Sequence, residues 1–267
     1  MANRSPPITM ETQASHSDTD LRNLIGELLI AIAALSRWSL FARGEIGDAE
    51  QRARALLFVP VVGVVAGVVL ASIDLRLANF LSTTVRSLIA LLLLEIATGA
   101  MSVVGIADAT DAIRIGSRPA STGIARIGPF GAFAAIVWFV AAVYFLARIH
   151  DSTGRSAALV MATTLSRWAI VPIGYGLRPL ERWGLGVPYE NGIRFREFAV
   201  SSVIALGVTM GLYENVGLAV IVALALTILA LRLAFSRRLG GAAGYALAGG
   251  MAICELVIFA VLVALRI

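Results

Sequence analysis

The chain contains no lysine: all 22 of its basic residues are arginine, and charged residues make up only 15% of the whole. It has one cysteine and two histidines. The lone Cys254 excludes an internal disulfide, and its place in an apolar run assigns it to packing rather than to thiol chemistry. His16 and His150 stand apart from each other and from any acid cluster, so they read as solvated side chains and not as metal ligands. What fills the remaining space is apolar. Hydrophobic residues reach 58% with a mean hydropathy of +0.86, far more than a soluble domain needs, and the chain reads as an integral membrane protein. In such a chain a net charge of +5 serves to orient the helices in a bilayer, and no nucleic-acid partner is expected. Arginine also suits phosphate ligands, because its planar fork bonds two oxygens at once.

The first twenty residues are polar, carry Pro6 and Pro7 and lack the apolar core of a cleavable signal peptide. They read as a disordered cytoplasmic tail, leaving residues 21–267 as a single transmembrane helical domain. Leu21 to Phe41 has helical apolar spacing interrupted by Glu27 and Arg37-Trp38, which suits an interfacial helix or an incomplete span. Ala55–Ile73 is the first uncharged run of spanning length, followed by Ser87–Val104, Phe130–Ala147, Ala157–Leu177, Phe198–Leu212, Val216–Leu231 and Gly241–Leu265. The expected fold is therefore an all-α, polytopic membrane bundle of about seven helices. On that map Arg37–Arg54, Gly105–Pro129, Arg178–Glu197 and Arg232–Gly240 share one face with fourteen arginines, against five in Asp74–Arg86, Arg148–Ser156 and Arg266–Ile267. The positive-inside rule puts the richer face in the cytoplasm.

The most chemically loaded stretch lies on that face. If Gly105 to Ala112 is helical, Asp108 and Asp111 stand at i and i+3, close enough to share a hard cation. Magnesium takes carboxylate oxygens, keeps several waters and draws the rest of its shell from substrate phosphates, so the pair suits phosphoryl-transfer chemistry. Two hydrated helix-end charges paired with Arg114 or Arg118 are the alternative reading. Downstream, Arg114, Arg118 and Arg126 surround Gly123, Gly128 and Gly131; glycine amides and guanidinium groups together form a cradle for a diphosphate, or an anchor for lipid headgroups. Arg167 falls mid-span, where a lone charge costs about 2.5–3.5 kcal/mol on insertion scales. It requires a partner inside the bundle, either an acid such as Glu95 or Asp108 or a bound anion; Glu255 and Glu27 raise the same question.

These residues also carry a resemblance. From about Leu21 onward the chain resembles the cobalamin synthases, the adenosylcobinamide-GDP ribazoletransferases. Leu35-Ser36-Arg37 is similar to the family's early Leu-Thr-Arg, and Phe58 to Gly67 to its Phe-Pro-Leu-Val-Gly segment. Gly105-Ile106-Ala107-Asp108-Ala109-Thr110-Asp111 is similar to the family's Gly-Leu-Ala-Asp-Thr-Ala-Asp core, and Arg126-Ile127-Gly128-Pro129-Phe130-Gly131 to its Arg-Ile-Gly-Thr-Phe/Tyr-Gly. Ser166-Arg167-Trp168 and Arg238-Leu239-Gly240-Gly241 with Gly244 complete the set in the family's order. The chain departs from the pattern at Ser102 and Val104, where the family has His and Asp, at Ile124, and at Ala243 and Tyr245 in place of Thr and Asp. The resemblance implies a multi-pass enzyme of the bacterial inner membrane with its site on the cytoplasmic side. It would join α-ribazole or its 5′-phosphate to adenosylcobinamide-GDP and release GMP. It further implies Mg²⁺ on Asp108 and Asp111 as the catalytic pair, with Gly105, Arg126, Gly128 and Arg167 toward substrate.

The departures leave a second class open: a catalytically silent relative that binds a corrinoid, a nucleotide or a partner protein. A CDP-alcohol phosphotransferase fits less well, because the Arg and later paired Asp of that pattern are missing. Transport is disfavoured by an acid pair placed away from the membrane midplane. The lipid bilayer is a partner on any of these readings, and the sequence leaves a homo-oligomer open.

Overall fold

The computed structural model describes residues 26–27, 31, 54–115, 128–180, 193–212 and 214–266. The expected tail, residues 1–20, lies outside them. Among the described residues from 59 onward, eight α-helices follow one another: α1 (Val59–Leu77), α2 (Thr83–Thr98), α3 (Met101–Ile115), α4 (Pro129–Ala147), α5 (Ser152–Gly174), α6 (Phe195–Leu212), α7 (Glu214–Ala234) and α8 (Gly244–Ala264). A 3₁₀ turn, Leu56–Phe58, leads into α1, and a π-helical turn, Phe235–Leu239, ends α7. No strand occurs among the described residues; the nearest approach is an isolated bridge between Pro179 and Ala242.

Six of these segments are individually long and apolar enough to cross a membrane, and the pair α2–α3 brings the number to seven if it counts as one crossing. That pair corrects the expected second span. The apolar run Ser87–Val104 is not one helix, and the stretch after it, expected as a loop from Gly105, stays helical to Ile115. The chain breaks at Gly99 and Ala100, which adopt φ of 69° and 60°, and α3 leaves α2 at 79°. Glycine takes the left-handed conformation without cost and closes α2, its amide bonding back to Ile96; Ala100 has a Cβ and takes it at a steric penalty.

Contacts at the helix ends show that α2–α3 crosses rather than doubles back. On one face, Asp74 near the end of α1 meets Arg86 of α2 and Arg155 of α5, and Arg155 also donates to Leu146 O and Ile149 O where α4 finishes. On the other face, Asp111 near the end of α3 accepts from Gly128 and Gly131, where α4 begins. Since α4 is an uninterrupted helix of 19 residues, about 28 Å long, α2 enters from the first face and α3 exits at the second.

The centre of the bundle is α5, buried along most of its length, with α1 and α8 against it. Close approach is written in glycine. A Cβ at Gly63 would stand 2.5 Å from Thr163 O, and one at Gly67 would stand 2.5 Å from the Cα of Val160. Thr163 uses the proximity to donate to Gly63 O at 2.8 Å, the small-residue packing expected where lipid gives helices no hydrophobic reason to associate. Cys254 is fully buried and free, as its apolar run implied. Outward-facing Val, Leu, Ile and Phe along α1, α4, α6 and α7 are exposed, as for helices facing lipid.

The first face is closed by an ion cluster. Arg155 is fully buried and donates to both Asp74 oxygens at 2.9–3.0 Å and to Ser87 Oγ at 2.9 Å; Arg86 closes on the same carboxylate. Removing the shared acid would strand two guanidinium groups. An Asp74→Ala variant should therefore lose about 3–5 kcal/mol, read as a large fall in the thermal midpoint of the protein in detergent, whereas Arg76→Ala, an exposed change on the same face, should leave the midpoint in place.

Candidate functional site at the second face

The site is built on the exit of α3. The described structure confirms the helical geometry that the spacing required: Asp108 and Asp111 lie one turn apart on α3, Asp108 half-buried and Asp111 buried. Their environments differ. Asp111 accepts Gly128 N at 2.6 Å on Oδ2 and Gly131 N at 3.0 Å on Oδ1, so one carboxylate satisfies two first-turn amides of α4. Free amides and a positive dipole end make a helix N-terminus a good seat for an anion, and here the anion comes from the chain itself. Pro129 occupies the first turn, where its missing N–H costs nothing. A Cβ at Gly131 would meet Ala107 O at 2.4 Å and Asp111 Oδ2 at 2.5 Å, so only glycine lets α4 start this close.

Other elements gather at the same end. α8 runs antiparallel to α3: Gly105 faces Gly249, Gly249 also reaches Ala109, and Val103 and Ile106 pack near Ala252, Ile253 and Leu256. The start of α8 therefore sits beside the end of α3. Just before it, Ala242 N donates to Arg178 O at 2.9 Å and Leu180 N donates to Ala242 O at 3.1 Å. Gly241 is forced by that pairing, since a Cβ there would stand 2.3 Å from Arg178 O. Arg232 donates to the carbonyls of Pro172, Ile173 and Tyr175, capping α5. Arg114 lies 4.1 Å over the ring of Phe130, a cation–π contact. Arg114, Arg178, Arg194, Arg196, Arg237 and Arg238 are exposed around this end.

The sequence-predicted residues divide accordingly. Asp108, Asp111 and Gly128 are brought together at the α3–α4 junction. Arg126, with Arg118, Gly123 and Ile124, lies outside the described residues. Gly105 backs onto α8, a Cβ there meeting Gly249 N at 2.6 Å, so its position is one of helix packing. Arg167 sits deeper, 1% exposed, donating to Thr163 O and Ser166 Oγ with Glu255 at 3.6 Å. Its ion-pair partner is thus Glu255 of α8. Glu95 is the further electrostatic neighbour of both. Of the positions that depart from the family pattern, Ser102 is fully buried, Tyr245 is 8% exposed, and Ala243 begins α8 without a side-chain cap.

Spacing did not reveal Asp111's commitment to α4, because its partners lie 17 and 20 residues away. Magnesium fits this arrangement in a restricted form. Each Asp111 oxygen already accepts one N–H and keeps one lone-pair direction, and among the described residues no three of His, Cys, Asp and Glu gather into a metal-binding group. A cation here has two carboxylates to use and must complete its shell from water and substrate phosphate, a normal coordination for magnesium.

Fold and site together define a multi-pass helical membrane protein with a carboxylate pair and glycine-lined helix start at one face. The chain matches the family described as cobalamin-5-phosphate synthase over residues 27–264, and it belongs to that family. It is similar to the adenosylcobinamide-GDP ribazoletransferase of Pseudomonas paraeruginosa strain PA7, 33% identical over 259 residues, covering 92% of this chain and 100% of that protein. The same-named proteins of Klebsiella pneumoniae strain 342 and Roseiflexus sp. strain RS-1 are 26% identical over 239 residues and 29% over 221. Those alignments cover 87% and 78% of this chain and 97% and 79% of the relatives. No solved structure matches.

The Asp111 bridge makes a local prediction. Asp111→Asn replaces one acceptor oxygen with a donor and should cost about 1–3 kcal/mol. Hydrogen exchange should accelerate at Gly128 and Gly131, with the amides of α5 unchanged.

Proposed function

We propose that the protein is an adenosylcobinamide-GDP ribazoletransferase of the bacterial inner membrane, with its site facing the cytoplasm. The observation that carries the reading is the end-to-end match to a named transferase together with the position of the family's Asp-rich core, at the one face where α3, α4 and α8 converge on exposed arginines. The excess of arginine on that face supports its cytoplasmic placement.

In the reaction a free ribose hydroxyl of α-ribazole, or of its 5′-phosphate, attacks the cobinamide-side phosphorus of the diphosphate. A new P–O bond forms, the bond to the bridging oxygen breaks, and GMP leaves while the attacking hydroxyl gives up its proton. Catalysis of this kind rests on positioning and on stabilising charge on the phosphoryl oxygens. Asp108, the less buried acid, and the remaining lone pairs of Asp111 would hold Mg²⁺. When bound, that ion supplies Lewis-acid neutralisation of the diphosphate. Gly128 fixes the start of α4, and Arg126 offers its charge to the phosphates. Gly105 and Arg167 act through the scaffold, by the α3–α8 approach and the pair with Glu255.

A second reading is favoured by the small donor set: a family member that binds corrinoid or nucleotide without turnover. The assay separates the two. Purified protein with Mg²⁺, adenosylcobinamide-GDP and α-ribazole should release GMP, Asp108→Ala should lower the rate at least on the order of 100-fold, and chelation should abolish it. Absence of GMP above background, with the nucleotide substrate still bound, selects the silent reading.

A further inference from the structure

At the break between α2 and α3 the bundle encloses a second polar cluster, on the opposite side of α3 from the Asp111 staple. Nine residues separate Ser102 from Asp111, half a turn off phase at 100° per residue. Four helices contribute: Glu95 from α2, Ser102 from α3, Ser166 and Arg167 from α5, and Glu255 from α8. Glu95 is 7% exposed, Arg167 1%, and Ser102, Ser166 and Glu255 are fully buried.

Its hydrogen bonding does not close. Glu95 Oε2 accepts Val103 N at 3.4 Å from the first turn of α3, while Glu95 Oε1 has no partner. Ser166 Oγ reaches Glu255 Oε2 at 3.4 Å and Arg167 Nη1 stands 3.6 Å from the same oxygen, both long for contacts this dry. Glu255 Oε1 and Arg167 Nη2 also lack partners, and the Ser102 hydroxyl stands within reach of Glu95. Buried polar groups in native proteins are nearly always satisfied, so two unpaired carboxylate oxygens and an unpaired guanidinium nitrogen in a single cluster call for a guest.

Charge narrows what the guest is. Two carboxylates and one guanidinium carry a formal net charge of −1, enclosed among apolar helices where an uncompensated charge is expensive. Water would bond the orphan atoms and leave the charge; a divalent ion would overshoot it. We propose that Glu95 Oε1, Glu255 Oε1 and Ser102 Oγ form the ligand set of a small monovalent cation of sodium size at the helix break. Broken membrane helices offer such places, because the interrupted backbone brings polar groups to mid-depth, and the left-handed Ala100 maintains the break. The ion would tie α2, α3 and α8 together beneath the Asp108–Asp111 end. The inference does not depend on the transferase reading, and its test needs no turnover.

The experiment is thermal unfolding of the purified full-length chain in detergent, in sodium chloride against choline chloride at matched ionic strength and pH. Sodium should raise the midpoint saturably by a few degrees, on the order expected for a ligand that binds only the folded state. Glu95→Gln and Glu255→Gln keep the side-chain shape and remove one charge each; both should lose the response, and Ser102→Ala should weaken half-saturation several-fold. Identical melting of the parent chain in both salts would overturn the proposal. So would a sodium response retained in all three variants, or a stability that follows pH alone, which would assign the cluster a proton instead.

Discussion

The constraint on which the rest of the molecule depends is the break at Gly99–Ala100. A straight continuation of α2 would carry its apolar run through the membrane and release Asp108 and Asp111 into a loop. Turning by 79° instead lays α3 across α8, where Gly105 and Gly249 let the backbones touch, and directs its last turn to the start of α4. Asp111 then finds two free amides, one for each of its oxygens.

Charge is handled differently at the two faces. At the first, two of the five arginines assigned there, Arg86 and Arg155, are buried around one shared carboxylate, Asp74. Arg76, Arg148 and Arg266 remain exposed. At the second, Arg114, Arg178, Arg194, Arg196, Arg237 and Arg238 all reach solvent. Among the described residues the exposed arginines thus number six at the second face against three at the first, which leaves the second face the better suited to anionic ligands.

Much of this was legible before any coordinates. Long apolar runs announced the spans because a bilayer core demands them, and Phe130–Ala147 was displaced by a single residue at its start. The acid pair was readable because its i, i+3 spacing is a property of the helix itself. What could not be read was anything set by contact between distant segments. Thr98-Gly99-Ala100 interrupts no hydropathy, so the break leaves no mark in the sequence; Arg155 falls between the expected spans, although the Asp151 cap starts α5 before it. Glu255 emerged as the partner of Arg167 only when α5 and α8 were packed together. The family resemblance points to the stretch around Asp108 and Asp111, and the fold adds the bonds from Gly128 and Gly131 to Asp111.

The central claim is that α2 and α3 form one bent crossing, with the Asp108–Asp111 end and the Asp74 end on opposite sides of the membrane. Single substitutions His150→Cys and Ile115→Cys, both at exposed positions, report the two ends, since Cys254 is buried and does not react with an impermeant maleimide. In intact cells one of the two should be labelled, and the other only after the membrane is opened. Labelling of both from the same side would contradict the crossing and the site built upon it.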